Sequence, residues 1–258
     1  MLGKTSTGYP SHAADFVDKA YGVLRRIRLT RRQLAVSLGM SEQSEFERQV
    51  SIVKAKPNIE QDAQEVGAMY RSMFTPEGIA SIDPERFKEF LCFKGLRFEG
   101  NRHWRDIQRH SGQLTADLPL LKRALQILVD ENKPIADRID EARGTGIRGL
   151  GQAVISAILQ VAYPTKYGVY NRISVAGLTR LVKFPDDFGS RSLGSQYDYV
   201  NQQLKELGTR YDISLWALDV ALGEMAPGSG RRKKGRDYPL AFNNWREYIG
   251  FTSRKSHR

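Results

Sequence analysis

Arg97, Arg102, His103, Trp104, Arg105 and Arg109 crowd into the stretch GLRFEGNRHWRDIQRHSG, bracketed by Gly95 and Gly112. So many guanidinium groups in one short stretch cannot all be buried, and phosphate oxygens are the ligand their planar forks fit. Trp104 offers a flat face on which a nucleobase can stack, and His103 a donor for a base edge or a phosphate. The same residues also read as a solvated arginine face around a packed tryptophan. Glu99 and Asp106 flank the segment, where each either pairs with an arginine or supplies a carboxylate to a reaction.

A second constellation follows in IRGLGQA. Gly149 and Gly151, spaced G-x-G between two helical stretches, allow a close backbone approach and leave N–H groups free for a phosphate. The next helix adds its positive end, and Arg148 adds a charge. A plain helix–helix turn explains the same pattern. No strand precedes it, as a dinucleotide fold requires, and no Gly-Lys-Ser or Gly-Lys-Thr completes a P-loop. Further on, KYGVYNR sets Lys166 and Arg172 as backbone grips around Tyr167, Tyr170 and Asn171. The tyrosines can line a pocket. Asn171 either caps the helix it begins or orients a water against a base. Carboxylates available to such a site are Glu99, Asp106, Asp140 and Asp219, with Glu99 and Asp106 favoured for their place beside the Arg-His-Trp run.

Helices must position these groups. Apolar residues recur at helical spacing from residue 13 almost to the end, and no run alternates long enough to form a sheet, so the fold class is all-α. The most apolar helix follows the glycine hairpin and is expected to be central. Thr115 is expected to cap the helix of LTADLPLLKRALQILVDENKP, and Cys92 to be a buried structural thiol among aromatics. The stretch from Thr30 to Val50 reads as two short helices around Gly39, the second capped by Ser41 or Ser44. A helix-turn-helix with Arg31 and Arg32 toward DNA is one interpretation. The expected organisation is an N-terminal helical region over 1–75, a helical body over 76–225, and a basic segment over 226–258.

Charge agrees with an anionic partner. The chain of 258 residues carries a formal charge of +11. Nine basic residues fall in 226–258 against only Asp237 and Glu247, so the body itself is mildly basic. Within that last segment, YPLAFNNWREYIGF has enough aromatic residues to dock as a final helix. One cysteine excludes a disulfide scaffold and a thiolate cluster, and four scattered histidines argue against a zinc enzyme, so no metal or cofactor is expected. No long apolar run suggests a membrane span, and the opening residues lack a signal-peptide core. A cytoplasmic, monomeric protein that binds DNA is the expectation.

The stretch IRGLGQAVISAILQVAYPTKYGVYNRISVAGLTRL resembles the core of the helix-hairpin-helix DNA glycosylases, over roughly residues 134–183. The resemblance implies a hairpin of Ile147, Arg148, Gly149, Leu150 and Gly151 on the DNA backbone, then a buried helix through Ala157, Ile158 and Leu159. A loop then leads to the catalytic position at a helix start. It implies base flipping and hydrolysis of an N-glycosidic bond. Two positions depart from the family: Asn171 stands where the essential aspartate falls, and Ala153 where lyase members carry a lysine. No cysteine cluster is present for an iron–sulfur centre. The implied activity is therefore that of a monofunctional glycosylase acting on a damaged or modified base, with a non-catalytic reader of modified DNA as the alternative. NRHW, GLGQAV, YPTKYGVYN and DISLW are also similar to helical domains attached to bacterial restriction or phage-defence proteins, which implies defence against modified DNA and downstream nucleases as partners.

Overall fold

The computed structural model describes residues 41–92 and 111–226. The cluster of Arg97, Glu99, Arg102, His103, Trp104, Arg105, Asp106 and Arg109 lies outside the described residues. So do Arg31 and Arg32, the Cys92 side chain and the basic C-terminal segment.

The described chain is all helix and connecting turn, with no strand. Eleven α-helices occur in order: α1 (Glu42–Lys54), α2 (Pro57–Tyr70), α3 (Pro76–Ala80), α4 (Pro84–Cys92), α5 (Ser111–Thr115), α6 (Leu118–Val129), α7 (Ile135–Gly144), α8 (Gln152–Ala162), α9 (Arg172–Leu178), α10 (Leu193–Tyr211) and α11 (Leu215–Met225). The described helices all belong to one compact unit. That unit begins at Glu42. Phe46, Val50 and Val53 on α1 join the common core, and the Phe46 ring meets Tyr211 edge-on with centroids 5.1 Å apart. The second half of the helix-turn-helix candidate is thus a core helix on its apolar face.

Local chemistry sets the helix starts. Thr75 accepts from the Gly78 N–H at 3.1 Å, with Pro76 in the first turn where a missing N–H costs nothing. Thr115, expected to cap α6, instead ends α5, and its hydroxyl donates back to the Ser111 carbonyl. Asp117 takes the cap, accepting from the Leu120 N–H at 2.9 Å. Pro119 explains the offset: it fits only the first turn, so the helix must start just before it.

α8 is the central helix. Its buried residues run consecutively from Val154 to Val161 with no solvent-facing stripe. Each buried Ile or Leu contributes roughly 1.5–3 kcal/mol relative to exposure. Around it, two seams are so close that only glycine fits. A Cβ on Gly194 would lie 2.0 Å from the Ala136 carbonyl, which brings α10 against α7. A Cβ on Gly177 would lie 2.2 Å from the Leu222 carbonyl, which brings α9 against α11.

Candidate functional site

The hairpin joins α7 to α8 and faces outward. Ile147 and Leu150 are buried and anchor it, while Arg148 and Gly151 are exposed. Gly146 and Gly149 hold φ of 82° and 89°, a left-handed backbone that side-chain-bearing residues rarely adopt. Gly151 is the N-cap of α8 and supplies no side chain to its first amides, and a Cβ placed on it would meet nothing within 4 Å. Arg148 makes no ion pair with another described residue. Among the described residues, then, nothing pairs with the Arg148 side chain and no side chain caps the start of α8, a surface open to an anion.

The second part of the site lies beside the beginning of α8. Ser156, in the second turn, shares its hydroxyl proton between the Ala153 carbonyl at 3.3 Å and the Tyr170 carbonyl at 3.4 Å. This places the residue before Asn171 against the start of the helix that the hairpin feeds. Asn171 is the N-cap of α9: its Oδ1 accepts from the Ile173 N–H at 2.7 Å and the Ser174 N–H at 3.0 Å. Ser174 returns the bond, its hydroxyl accepting from the Asn171 N–H at 3.3 Å, and so completes a capping box. Asn171 is 8% exposed, so its carboxamide oxygen is committed to the helix start.

The loop leading to it is held from behind by α10. Asn201 accepts from the Gly168 N–H at 2.9 Å and donates to the Lys166 carbonyl at 3.0 Å, while Tyr197 donates to the Gly168 carbonyl at 2.9 Å. Tyr170, expected as a pocket wall, is instead a core residue whose hydroxyl donates to Gln196 at 2.9 Å. Burial holds that phenol well above its usual range, so it stays neutral. Tyr167 is also packed inward. The buried Arg138 guanidinium donates to its hydroxyl and to the Leu128 carbonyl, and the Tyr167 hydroxyl donates to Glu131 at 3.3 Å. Lys166 is exposed but paired with Glu131 at 2.6 Å. Arg172 is exposed and makes no ion pair with another described residue. Of the described residues expected to meet DNA, then, Arg148, Gly151 and Arg172 are exposed, Gly149 is half-buried, Lys166 is shared with Glu131, and Tyr167 and Tyr170 support the loop.

Two carboxylates among the expected four are described. Asp140 is spoken for: its Oδ1 accepts from the Gly194 N–H at 2.9 Å at the start of α10. Asp219 sits on α11, which packs against α9, and is half-buried. Burial pushes its carboxyl up to about 7, opposed by the Ser174 hydroxyl beside it. Sequence reasoning ranked it behind Glu99 and Asp106, although a signal existed. Asp219 is the lone charge in LWALDVALG, an otherwise apolar run. A carboxylate retained among such residues asks for a role or a partner.

A separate cleft of about 230 Å³ is lined by Val53, Lys54, Pro57, Ile59, Asp212 and Ala217. It contains none of the residues expected to touch DNA. Among the described residues no three His, Cys, Asp or Glu side chains gather as metal ligands, and no helix is long and apolar enough to cross a membrane. Comparison with family models, curated proteins and solved structures finds no match for this chain.

Proposed function

We propose that this protein is a monofunctional DNA glycosylase that removes a damaged or modified base from DNA, in defence against modified foreign DNA. One observation carries the reading. The exposed glycine hairpin and the Asn171–Ser174 helix start are tied to the same end of α8, through Gly151 on one side and Ser156 on the other. A backbone grip beside a candidate base site is the arrangement that base flipping needs, since the nucleotide must be held by its phosphates while its base leaves the stack. Arg148 and Arg172 supply charge to that grip. Ala153, partly buried in the first turn of α8, has no amine, so strand cleavage through a Schiff base at that position is not part of the activity. Later nucleases would process the abasic product.

A second reading rests on Asn171. Its side chain is an amide engaged in a helix cap and carries no charge to stabilise a sugar cation, which favours a module that binds modified DNA without cutting it. Incubating the protein with genomic DNAs of differing modification status separates the two. The glycosylase releases free base and leaves abasic sites; the module binds in a salt-sensitive manner and leaves the DNA intact.

A further inference from the structure

We infer that Asp219, on α11, supplies the catalytic carboxylate that the helix start at Asn171 lacks. The inference rests on the glycosylase reading above and names the residue that would carry its chemistry.

The geometry is that of two helices locked at one register. Gly177 lies against the Leu222 backbone, and the Ile173 side chain is in ordinary contact distance of a Cβ placed on Gly223, so α9 and α11 are in direct contact at this seam. Asp219 is one turn before Gly223, and across the seam it meets Ser174. Ser174 is itself hydrogen-bonded to the Asn171 backbone. The carboxylate therefore stands beside the capping box while belonging to another helix. Unlike Asp140, it accepts no backbone N–H of a described helix start, and it retains an opening to solvent.

Its electrostatic setting suits proton transfer near neutral pH. Burial and the Ser174 hydroxyl are the influences on it. The elements packed on α11 carry charges as well: Arg172 on α9, Arg180 just beyond α9, Glu42 and Glu45 on α1, Glu60 on α2 and Arg210 on α10. None contributes to the shift of Asp219. Glu42 and Arg180 are engaged with each other in an ion pair.

In the reaction, the C1′–N bond of the flipped nucleotide breaks and its electron pair leaves with the base, which takes a proton from solvent. A water oxygen forms the new bond to C1′ and passes its proton to the Asp219 carboxylate, which later releases it to bulk water. Before water adds, the ionised carboxylate offsets the positive charge that develops on the sugar.

The full chain, as wild type, D219N, E99Q and D106N, is incubated with synthetic duplexes. These carry uracil, hypoxanthine, 8-oxoguanine, ethenoadenine or 5-hydroxymethyluracil, and genomic DNAs of differing methylation are included. Abasic sites, DNA affinity and thermal melting are measured on the same preparations. The expected result is abasic sites from the wild type and about a thousandfold loss in D219N, with affinity retained and the melting temperature not lowered. Activity in D219N within threefold of wild type overturns the assignment of Asp219 and leaves the excision reading standing. No abasic sites from the wild type overturns both. Should D219N fail to fold, the wild-type pH profile decides. A rate rising about tenfold per pH unit and levelling near 7 supports Asp219, and a flat profile from pH 5 to 8 overturns it.

Discussion

Glycine does opposite work at the two ends of the candidate site. At the hairpin, Gly151 looks into open space, and its missing side chain matters to whatever approaches from outside. At the α9–α11 seam, Gly177 is filled to contact by the neighbouring backbone, and its missing side chain matters only to the protein itself. One glycine leaves room for a ligand and the other has already used its room for packing. Substitution should therefore separate binding from stability cleanly.

The largest effect is expected at the seam. Gly177→Ala places a methyl group where a carbonyl oxygen already stands, and the backbones must separate, at a cost of about 3 kcal/mol or more. Thermal or urea denaturation should show a large drop, with DNA binding lost along with the fold. By contrast, Gly151→Leu should leave the melting temperature nearly unchanged and weaken DNA binding across sequences, as measured by fluorescence anisotropy. Binding untouched by a bulky residue there would remove the hairpin from the interface.

Asp219→Asn tests the seam in a second way. A folded-state pKa near 7 lies above the unfolded carboxylate value, so the native protein binds this proton more tightly. The stability Asp219 contributes is then fully present below about pH 4 and is lost as pH rises through about 7. Asp219→Asn should therefore be more stable than wild type at pH 8, by on the order of 1–4 kcal/mol, and the gain should shrink toward pH 5. Parallel melting curves at the two pH values check this. Smaller still is Asn171→Ala, which removes one half of a capping box and should cost about 1 kcal/mol by urea denaturation. The smallest effects are those of Arg148→Ala and Arg172→Ala. Each should flatten the salt dependence of DNA affinity by about one counterion while leaving stability alone.

These two regions were unequally legible in the sequence. The hairpin was read directly, because its glycines, its flanking helices and the burial of Ile147 and Leu150 are all local properties of a short stretch. The cap at Asn171 was legible for the same reason. The inward turn of Tyr167 and Tyr170 was not. An aromatic beside a basic residue looks the same whether it faces a ligand or a core, and here Arg138, Gln196 and Asn201, all distant in sequence, decide the direction. Asp219 was visible as a lone charge in an apolar helix, but its nearness to Ser174 depends on how α11 meets α9. That contact is set by Gly177, whose role as a packing surface no local pattern reveals. The start of α6 shows the same limit at small scale: Thr115 and Asp117 are both good caps, and Pro119 settles between them.

The Gly177–Leu222 contact has one more consequence. Where side chains separate two helices, a neighbour can shrink, rotate or swap to absorb a change. Between two backbones there is nothing to trim. Helix α9 cannot slide past α11 by a turn without driving Gly177 from its niche. The spacing between the capping box and Asp219 is therefore not adjustable by compensating substitution. A change in ligand preference would have to arise elsewhere in the molecule, or in the ease with which the nucleic acid itself is deformed to reach a fixed mould.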